Sequence, residues 1–365
     1  MKTKSSNKNL HKASQAKKDE FYTQLVDIEK ELKHYKEQFK GKVVYCNCDD
    51  PFESNFFRYF VLNFNELGLK RLITTSYKPS PVANTQLGLF GNDKTIIPVK
   101  GRPKVTANKF IINKVGNVND DGSFELKDVA EQLKANKHNE WKPLEGTGDF
   151  RSPECVELLK SADIVVTNPP FSLFREYVAQ LVEHKKKFLI IGNVNAITYK
   201  ECFQLIKENK MWLGVSIHSG DREFRVPDSY PLEAAGFRVD NEGHKYIRVK
   251  GVRWFTNLDY EERHEKLVLY KNYSPKEYPK YDSYDAINID KTADIPQDYA
   301  GAMGVPITFM DKYNPEQFEI LSSNDIRLNN KVPFKDHGLI KDKDGAIDGK
   351  PTYVRIVVRN KQVEK

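Results

Sequence analysis

Short apolar runs alternate with amphipathic segments along most of the chain, and this alternation is the feature that most constrains the fold. The first pair is the run Val43–Cys46, followed by a helical pattern that closes at Gly68. Strands that alternate with helices form parallel sheets with right-handed crossovers. We therefore expect a doubly wound α/β sheet, with any ligand beyond the carboxyl ends of its strands.

The same reading assigns the remaining elements. The predicted helices are QLVDIEKELKHYKEQF, FESNFFRYFVLNFNELG, SPECVELLKS, SLFREYVAQLVEH and YKECFQLIKEN. The predicted strands after the first are LKRLITTSY, ADIVVT, KFLIIGN, MWLGVSI, GVRWFTNL, KLVLY, GVPITF and YVRIVVRN.

Two stretches interrupt the alternation. Residues 78–145 are rich in Pro, Gly, Asn and Lys, carry a hairpin signal at Asp121–Gly122, and are predicted to be an insertion. Residues 218–250 are expected to be irregular and form a second insertion. The predicted domains are a basic flexible arm (1–18), a main domain (19–275) that contains both insertions, and a mixed α/β extension (276–365).

Charge and cysteine content indicate which partners and which cellular compartment the sequence suits. The net charge is +7 over 365 residues, and residues 1–42 hold eleven lysines against six acidic residues. The arm, which includes Lys12, is interpreted either as a solubilising tail or as a segment that neutralises phosphates. The four cysteines show no zinc-binding spacing, and no run is long enough to span a membrane. We expect free thiols, no metal, no membrane and a cytoplasmic location.

The run DIVVTNPPFSLF places Asn168, Pro169, Pro170 and Phe171 directly after a predicted strand. A residue before proline favours extended backbone, and proline has no N–H beside its protruding carbonyl. The Asn168 amide oxygen and the Pro169 carbonyl are therefore two fixed acceptors, and Phe171 is a flat apolar surface. A rigid turn that only closes the strand is the alternative interpretation.

Two acceptors beside an aromatic ring suit an amino group on a planar base. They hold the two hydrogens of an adenine amino group and favour the form in which its nitrogen lone pair is free to attack. The matching methyl donor is the sulfonium of S-adenosylmethionine, and most of the rate would come from orientation and preorganised polarity.

Three segments are candidates for the donor site. In GTGDF, Asp149 can accept from the adenine amino group of the donor and Phe150 can flank its base. In FYTQ, Thr23 is either a donor contact or a helix N-cap. In CNCDDP no glycine-rich phosphate loop is present, and Asp49 or Asp50 can contact an ammonium group or begin a helix before Pro51.

These stretches together resemble the adenine-specific DNA methyltransferases of the EcoRI modification-methylase type. The matching stretches include DEFYTQ, KVVYCNCDDP, GDFRS, DIVVTNPPFSLF, KFLIIGNVN, PKYD, YDAIN and MGVPITF, and they run from about residue 8 to the C-terminus. The resemblance implies a class I (Rossmann-like) methyltransferase fold, S-adenosylmethionine as donor, adenine in double-stranded DNA as acceptor, and GAATTC as a target. It also implies that residues 19–275 are the catalytic domain and that the insertions 78–145 and 218–250 are candidate DNA-recognition regions.

The resemblance also implies residue roles. It assigns target-base chemistry to Asn168, Pro169, Pro170 and Phe171. It assigns cofactor binding to Phe21, Tyr22, Thr23, Cys46, Asn47, Cys48, Asp49, Asp50, Asp149 and Phe150, and Asn168 is expected to contact the cofactor as well.

An adenine that reacts must be flipped out of the duplex at a cost of a few kcal/mol, which contacts to DNA offset. Candidates for phosphate or guanine contacts are Lys12, Arg222, Arg225, Arg248 and Arg253, although each arginine taken singly is also an ordinary surface residue. A monomer is expected, acting alone or as the modification partner of a restriction endonuclease. The alternatives are methylation of RNA adenine or of a glutamine amide, and a DNA-binding protein without catalysis.

Overall fold

The computed structural model describes residues 22–48, 54–76, 85–87, 96–98, 107–116, 138–218, 221–226, 230, 236–321, 339–340 and 345–363. The arm with Lys12, the residues Phe21, Asp49 and Asp50, and the turn at Asp121–Gly122 lie outside these residues.

The elements follow the predicted alternation closely. The α-helices are α1 (Leu25–Leu32), α2 (Asn55–Leu62), α3 (Pro153–Ser161), α4 (Phe174–Glu183) and α5 (Lys200–Lys207). The strands are β1 (Val43–Cys46), β2 (Arg71–Thr75), β3 (Thr85–Leu87), β4 (Ile96–Pro98), β5 (Asn108–Ile112), β6 (Glu140–Pro143), β7 (Ile164–Thr167), β8 (Lys187–Asn193), β9 (Trp212–Leu213), β10 (Asp221–Val226), β11 (Arg238–Val239), β12 (Lys245–Lys250), β13 (Val252–Thr256), β14 (Ala286–Asn288), β15 (Ala302–Pro306), β16 (Phe318–Ile320), β17 (Leu339–Ile340), β18 (Ala346–Ile347), β19 (Lys350–Pro351) and β20 (Arg355–Asn360).

A large mixed sheet organises the first part of the chain, with strands in the order β6-β5-β2-β1-β7-β8-β13. The four central strands are parallel, and Val44 of β1 stands beside Leu72 on one side and Ile164 on the other. The flanking strands β5, β6 and β13 are antiparallel to their neighbours. Every residue of β1 and β7 is buried, as expected for parallel strands that are covered on both faces.

Side-chain caps and turns set where the helices begin. The Ser54 hydroxyl accepts a hydrogen bond from the backbone N–H of Phe56 at the start of α2. The Ser152 hydroxyl does the same for Cys155 in α3, where Pro153 occupies the first turn. These residues satisfy N–H groups that a helix leaves open at its first turn.

The chain divides into two compact units, Met1–Asn193 with Ser219–Leu258, and Val194–His218 with Asp259–Lys365. The second unit has its own sheet, in the order β14-β15-β20-β16 with β17 beside β20. Its core cluster includes Tyr281, Leu321 and Val357. The predicted division at residue 275 stays a prediction.

Both predicted insertions contain regular structure. Strands β5 and β6, from within residues 78–145, pair with each other and extend the large sheet. Residues 218–250 were expected to be irregular, but they form a three-stranded antiparallel sheet in the order β10-β12-β11. The apolar residues Phe224, Val226 and Ile247 alternate with charged residues and are buried, which is the pattern of a strand with one packed face.

Two other predictions differ from the structure. The segment KLVLY is not a strand, because the Gln317 side chain accepts from the N–H of Leu267 and donates to its carbonyl in place of a neighbouring strand. The first predicted helix is α-helical only to Leu32 and continues as a 3-10 helix over Lys33–Phe39. Tyr35 and Phe39 are nevertheless buried, as their spacing predicted.

None of the helices within the described ranges has the length and apolar character to cross a membrane. None of the four cysteines, all of which lie within the described ranges, forms a disulfide. The described residues contain no group of three or more His, Cys, Asp or Glu side chains placed to hold a metal ion.

Candidate active site at the carboxyl ends of β1 and β7

The order of the parallel strands reverses at β1, because the chain adds β2 on one side of it and β7 on the other. Ligands of open α/β sheets bind beyond the carboxyl ends of the strands at such a point. Cys46, Asn47 and Cys48 leave β1 there, and Asn168 and Pro169 leave β7. The structure thus brings two of the predicted segments to neighbouring strand ends.

Buried hydrogen bonds hold these two strand ends together. The Thr167 hydroxyl donates to the main-chain carbonyl of Asn47, and the Tyr177 hydroxyl of α4 donates to the Asn47 side-chain oxygen. Asn47 is only 1% exposed. The Asn47 side chain is therefore part of the packed interior beneath the site and does not face solvent. Cys46, which is fully buried, has the same position.

Cys48 has a left-handed backbone conformation, with φ of 63°. Non-glycine residues pay about 1–2 kcal/mol for this conformation. It occurs at the position where dinucleotide-binding folds carry glycine, and such strain concentrates at ligand sites. The turn after β1 therefore bends as a glycine-containing turn would, although the sequence has no glycine here.

The Asn168–Phe171 run leaves the end of β7 and leads into a helical turn. Asn168 is 7% exposed, Pro169 is buried and Pro170 has φ −54° and ψ 124°. A short 3-10 helix (Phe171–Leu173) begins immediately after it and leads into α4. Two prolines and this helical turn restrict the backbone on both sides of Pro170.

Arg151 fixes the Asp149 carboxylate. Its backbone N–H and its Nε donate to Oδ1 at 2.9 and 2.8 Å, and its terminal nitrogen lies 2.6 Å from Oδ2. The guanidinium also reaches Glu176 of α4 at 3.4 Å. The hydrogen bond from Arg151 holds the pKa of Asp149 below its ordinary value, so this carboxylate is ionised at neutral pH.

Phe150 is buried and attaches the same segment to α4. Its ring packs edge-on against Tyr177 at 5.0 Å between centroids, and its carbonyl accepts from the Gln180 amide at 3.1 Å. The helix that follows Asn168–Phe171 therefore contacts both the Asp149–Phe150 segment and the end of β1.

The Tyr22–Thr23 segment lies against the start of α2. The Asn55 amide donates to the Thr23 carbonyl at 2.7 Å. The Thr23 hydroxyl is buried and has no hydrogen-bond partner among the described residues. A buried hydroxyl in this state is a place where a polar ligand group can bind.

Tyr22 connects this segment to the small sheet. Its main chain pairs with Arg225 of β10, with N–H···O distances of 2.8 and 3.2 Å. A cavity of about 550 Å³ opens beside this bridge. It is lined by Tyr22, Gln24, Ser54, Asn55, Arg58, Arg225, Asp240, Asn241, Glu242, His244 and Tyr246.

The four predicted DNA-binding arginines that the structure describes occupy different environments. Arg225 lines the cavity, and Arg248 is exposed on β12. Arg222 lies 3.8 Å from Asp27 on the packed side of the small sheet. Arg253 is only 5% exposed and donates to the carbonyl of Val252. Its side chain is therefore too buried in this structure to contact a phosphate.

Sequence reasoning missed Arg151, Asn55, Tyr177 and Gln180. Arg151 lies two residues after Asp149 and was visible as a nearby charge. Tyr177 belongs to the apolar stripe of α4 with Phe174 and Leu181, which hides the role of its hydroxyl.

Known proteins are similar to this chain over nearly its whole length. The family model described as "Adenine-specific methyltransferase EcoRI" matches residues 9–361. The chain is 47% identical to the type II methyltransferase M.EcoRI of Escherichia coli over the full length of both proteins. It is 35% identical to M.MpnI of Mycoplasma pneumoniae and to M.MgeORF184P of Mycoplasma genitalium, over 97% of this chain and 98% or 99% of theirs. No solved structure matches.

Proposed function

The chain belongs to the family of adenine-specific methyltransferases of the EcoRI type, and from this premise we propose that it transfers a methyl group from S-adenosylmethionine to the exocyclic amino group of a flipped-out adenine in double-stranded DNA. The observation that carries this proposal is the position of Asn168–Phe171 at the carboxyl end of β7, beside the end of β1 where the strand order reverses.

The fold supports this assignment. The parallel order β2-β1-β7-β8, closed by the antiparallel strand β13, is the arrangement we assign to a class I, Rossmann-like methyltransferase domain. We propose residues 19–275 as this catalytic domain and residues 276–365 as an extension, as the sequence predicted.

The residues around β1 suit the chemistry of S-adenosylmethionine, which supplies an electrophilic methyl group on a sulfonium. The unsatisfied Thr23 hydroxyl can bind the polar end of the donor. The ionised Asp149 carboxylate can accept from an adenine amino group, and the strained turn at Cys48 brings backbone close to a ligand. We assign Tyr22, Thr23, Cys48, Asp149 and Phe150 to the donor site, with Asn47 as their support.

On the acceptor side, the Asn168 side-chain oxygen and the Pro169 carbonyl would hold the two hydrogens of the adenine amino group. This arrangement directs the nitrogen lone pair at the methyl carbon without a strong base, because the proton leaves after the nitrogen has become cationic. Phe171 would pack against the base and fix its plane. Orientation of this kind contributes roughly 7–11 kcal/mol in well-aligned reactions.

The relatives are named type II methyltransferases. We propose that this chain likewise protects DNA at a fixed sequence, either beside a restriction endonuclease or as a solitary methylase, and that it acts as a monomer. The resemblance makes GAATTC the sequence to test first.

Transfer of label from tritiated S-adenosylmethionine tests the proposal. Unmethylated duplex DNA that contains GAATTC is incubated with the full chain, digested, and analysed for the labelled base. We expect label in N6-methyladenine. Label in cytosine, or label only in RNA or protein substrates, would contradict the proposal, and sequencing of the methylated sites gives the target.

Asn168→Ala tests the role of the candidate catalytic residue. We expect transfer to be abolished while the dissociation constant for the donor changes by less than about tenfold, because the two acceptors act on the base. Asn272→Ala, at an exposed asparagine of the second unit, is the matched control and should keep full transfer. Loss of donor binding with unchanged turnover would contradict this role.

A further inference from the structure

The small sheet of β10, β12 and β11 has one packed face and one open face. Side chains alternate between the faces of a strand, and residues directly opposite in an antiparallel pair share a face. The pairs Phe224–Ile247 and Val226–Lys245 belong to the packed face, where the three apolar residues are buried. The open face carries the other register pairs, Asp221–Lys250, Glu223–Arg248 and Arg225–Tyr246, together with Arg238 opposite Tyr246.

Internal pairing neutralises one acidic residue of this open face. Glu223 accepts two hydrogen bonds from Arg238, at 2.7 and 2.5 Å. The Arg238 guanidinium lies 4.1 Å from the centroid of the Tyr246 ring, which fixes its orientation. Asp221 is a further acidic residue of this face, opposite Lys250. Asp240 and Glu242 lie at the other end of β12, where Asp240 accepts from the Tyr246 hydroxyl at 3.1 Å and both carboxylates lie within 3.4 Å of His244. The positive charge of the open face is therefore concentrated at the end of β12 that carries Arg248 and Lys250.

The cationic surface continues onto α2. Arg58 lines the same cavity as Arg225 and Tyr246. Within the residues that the structure describes, Arg58, Arg248 and Lys250 are exposed and take part in no ion pair. We call Arg58, Arg225, Arg248 and Lys250 the basic face.

The fold positions the basic face next to the candidate donor site. Strand β10 pairs with Tyr22 through both main-chain hydrogen bonds of Arg225. Gly236, with φ of 77°, lies so close to β12 that a Cβ atom added to it would be 2.7 Å from the Cβ of Arg248. The turn before β11 therefore packs closely against the stem of Arg248.

We propose that the basic face binds the phosphate backbone of duplex DNA and so holds the duplex beside the site where the adenine reacts. The inference rests on the proposed function for the identity of the polyanion. A two-stranded β-ribbon fits a major groove about 12 Å wide, and Arg or Lys side chains on it reach the phosphates at the groove edges. Arg248 and Lys250, on alternate positions of one strand, are the two principal phosphate contacts.

The salt dependence of DNA binding tests this proposal directly. The full chain is titrated with a labelled duplex containing GAATTC, and with a scrambled duplex of equal length, at several salt concentrations. Each lost phosphate contact lowers the slope of log K against log salt by about 0.9. We expect this change for Arg248→Ala and for Lys250→Ala, about twice this change for the double variant, and equal weakening on both duplexes because phosphates carry no sequence information.

Two matched variants complete the design. Lys245→Ala removes a positive charge from the packed side of β12, the strand that carries Arg248 and Lys250, and should leave the slope unchanged. Arg248→Lys keeps the charge and should restore the slope, which separates loss of charge from misfolding. Donor binding, measured by calorimetry, should be the same for all variants.

Three results would overturn the proposal. They are an unchanged slope in the double variant, a loss confined to the GAATTC duplex, and an equal slope change in Lys245→Ala. Methyl transfer by the unaltered chain is measured in parallel at low salt. Label in adenine together with unchanged slopes would reject the basic face alone, whereas absence of label from DNA would reject the proposed function itself.

Discussion

At the scale of single residues, the site depends on charges and backbone conformations that neighbours impose. Arg151 takes up both oxygens of Asp149 and lowers the pKa of this carboxyl group. A depressed pKa means that the ionised state, and the stability it brings, persists in acid until the pH falls through the folded value. Asp149 should therefore remain an acceptor for the donor well below neutral pH.

Arg151→Gln tests this dependence. Without the guanidinium, the pKa of Asp149 returns toward its ordinary value near 3.9. We expect donor affinity in the variant to decline as the pH falls from about 6 toward 4, while the unaltered protein declines later. Calorimetric titrations across this range measure the difference, and Glu176→Gln, which leaves the Asp149 contacts in place, is the control. Parallel pH profiles for all three proteins would exclude this role of Arg151.

Cys48 offers a second test at this scale. A residue with φ of 63° is relieved of strain by glycine and strained further by a β-branched side chain. We expect Cys48→Gly to raise the free energy of unfolding by up to about 1 kcal/mol and Cys48→Val to lower it by at least as much. Urea denaturation measures both values. Equal effects of glycine and valine would show that the backbone conformation is not the cause.

At the scale of elements, α4 ties the candidate segments together. It follows Asn168–Phe171 directly, and its Tyr177 contacts both Asn47 at the end of β1 and Phe150. Removing the Tyr177 hydroxyl would leave the buried Asn47 oxygen unsatisfied, which costs about 1–3 kcal/mol. The donor site should then lose its alignment with the acceptors at Asn168.

Tyr177→Phe is therefore expected to lower the free energy of unfolding by about 1–3 kcal/mol and to raise KM for the donor more than it lowers kcat. Steady-state kinetics and denaturation measure the two effects. Tyr59→Phe, at a buried tyrosine of α2, is the control and should change KM little. A pure loss of stability with unchanged KM would restrict Tyr177 to a structural role.

The elements also show how far the sequence predicts the site. The runs before CNC and NPPF are continuous and apolar, so their parallel pairing and the meeting of their ends follow from general rules of α/β sheets. The Tyr177–Asn47 bond joins residues 130 positions apart, and no local pattern signals it. The small sheet was missed because long charged side chains on its open face conceal an alternation of only three buried apolar residues.

At the scale of the whole molecule, the chain consists of two compact units. The second unit contains a histidine, His264, that contacts two carboxylates. His264 lies 2.9 Å from Asp259 through Nε2 and 2.9 Å from Glu316 through Nδ1. Both ring nitrogens face carboxylates, which favours the protonated imidazole. The hydrogen bond to Asp259, followed by that to Glu316, raises the pKa of His264 above its ordinary value.

The pH dependence of unfolding should report this contact. A raised folded pKa means that the stabilisation is fully present below about pH 6.5 and is lost as the pH rises through the folded value. The side chain is 39% exposed, so solvent screening limits the effect to below about 1 kcal/mol. We expect His264→Gln to be less stable than the unaltered protein at pH 6 and equally stable at pH 9, measured by urea denaturation.

His184, on the surface of the first unit at the end of α4, provides the control variant His184→Gln. A stability difference that persists unchanged at pH 9 would show that His264 acts through packing, because at that pH the imidazole is neutral and the attraction to both carboxylates is gone.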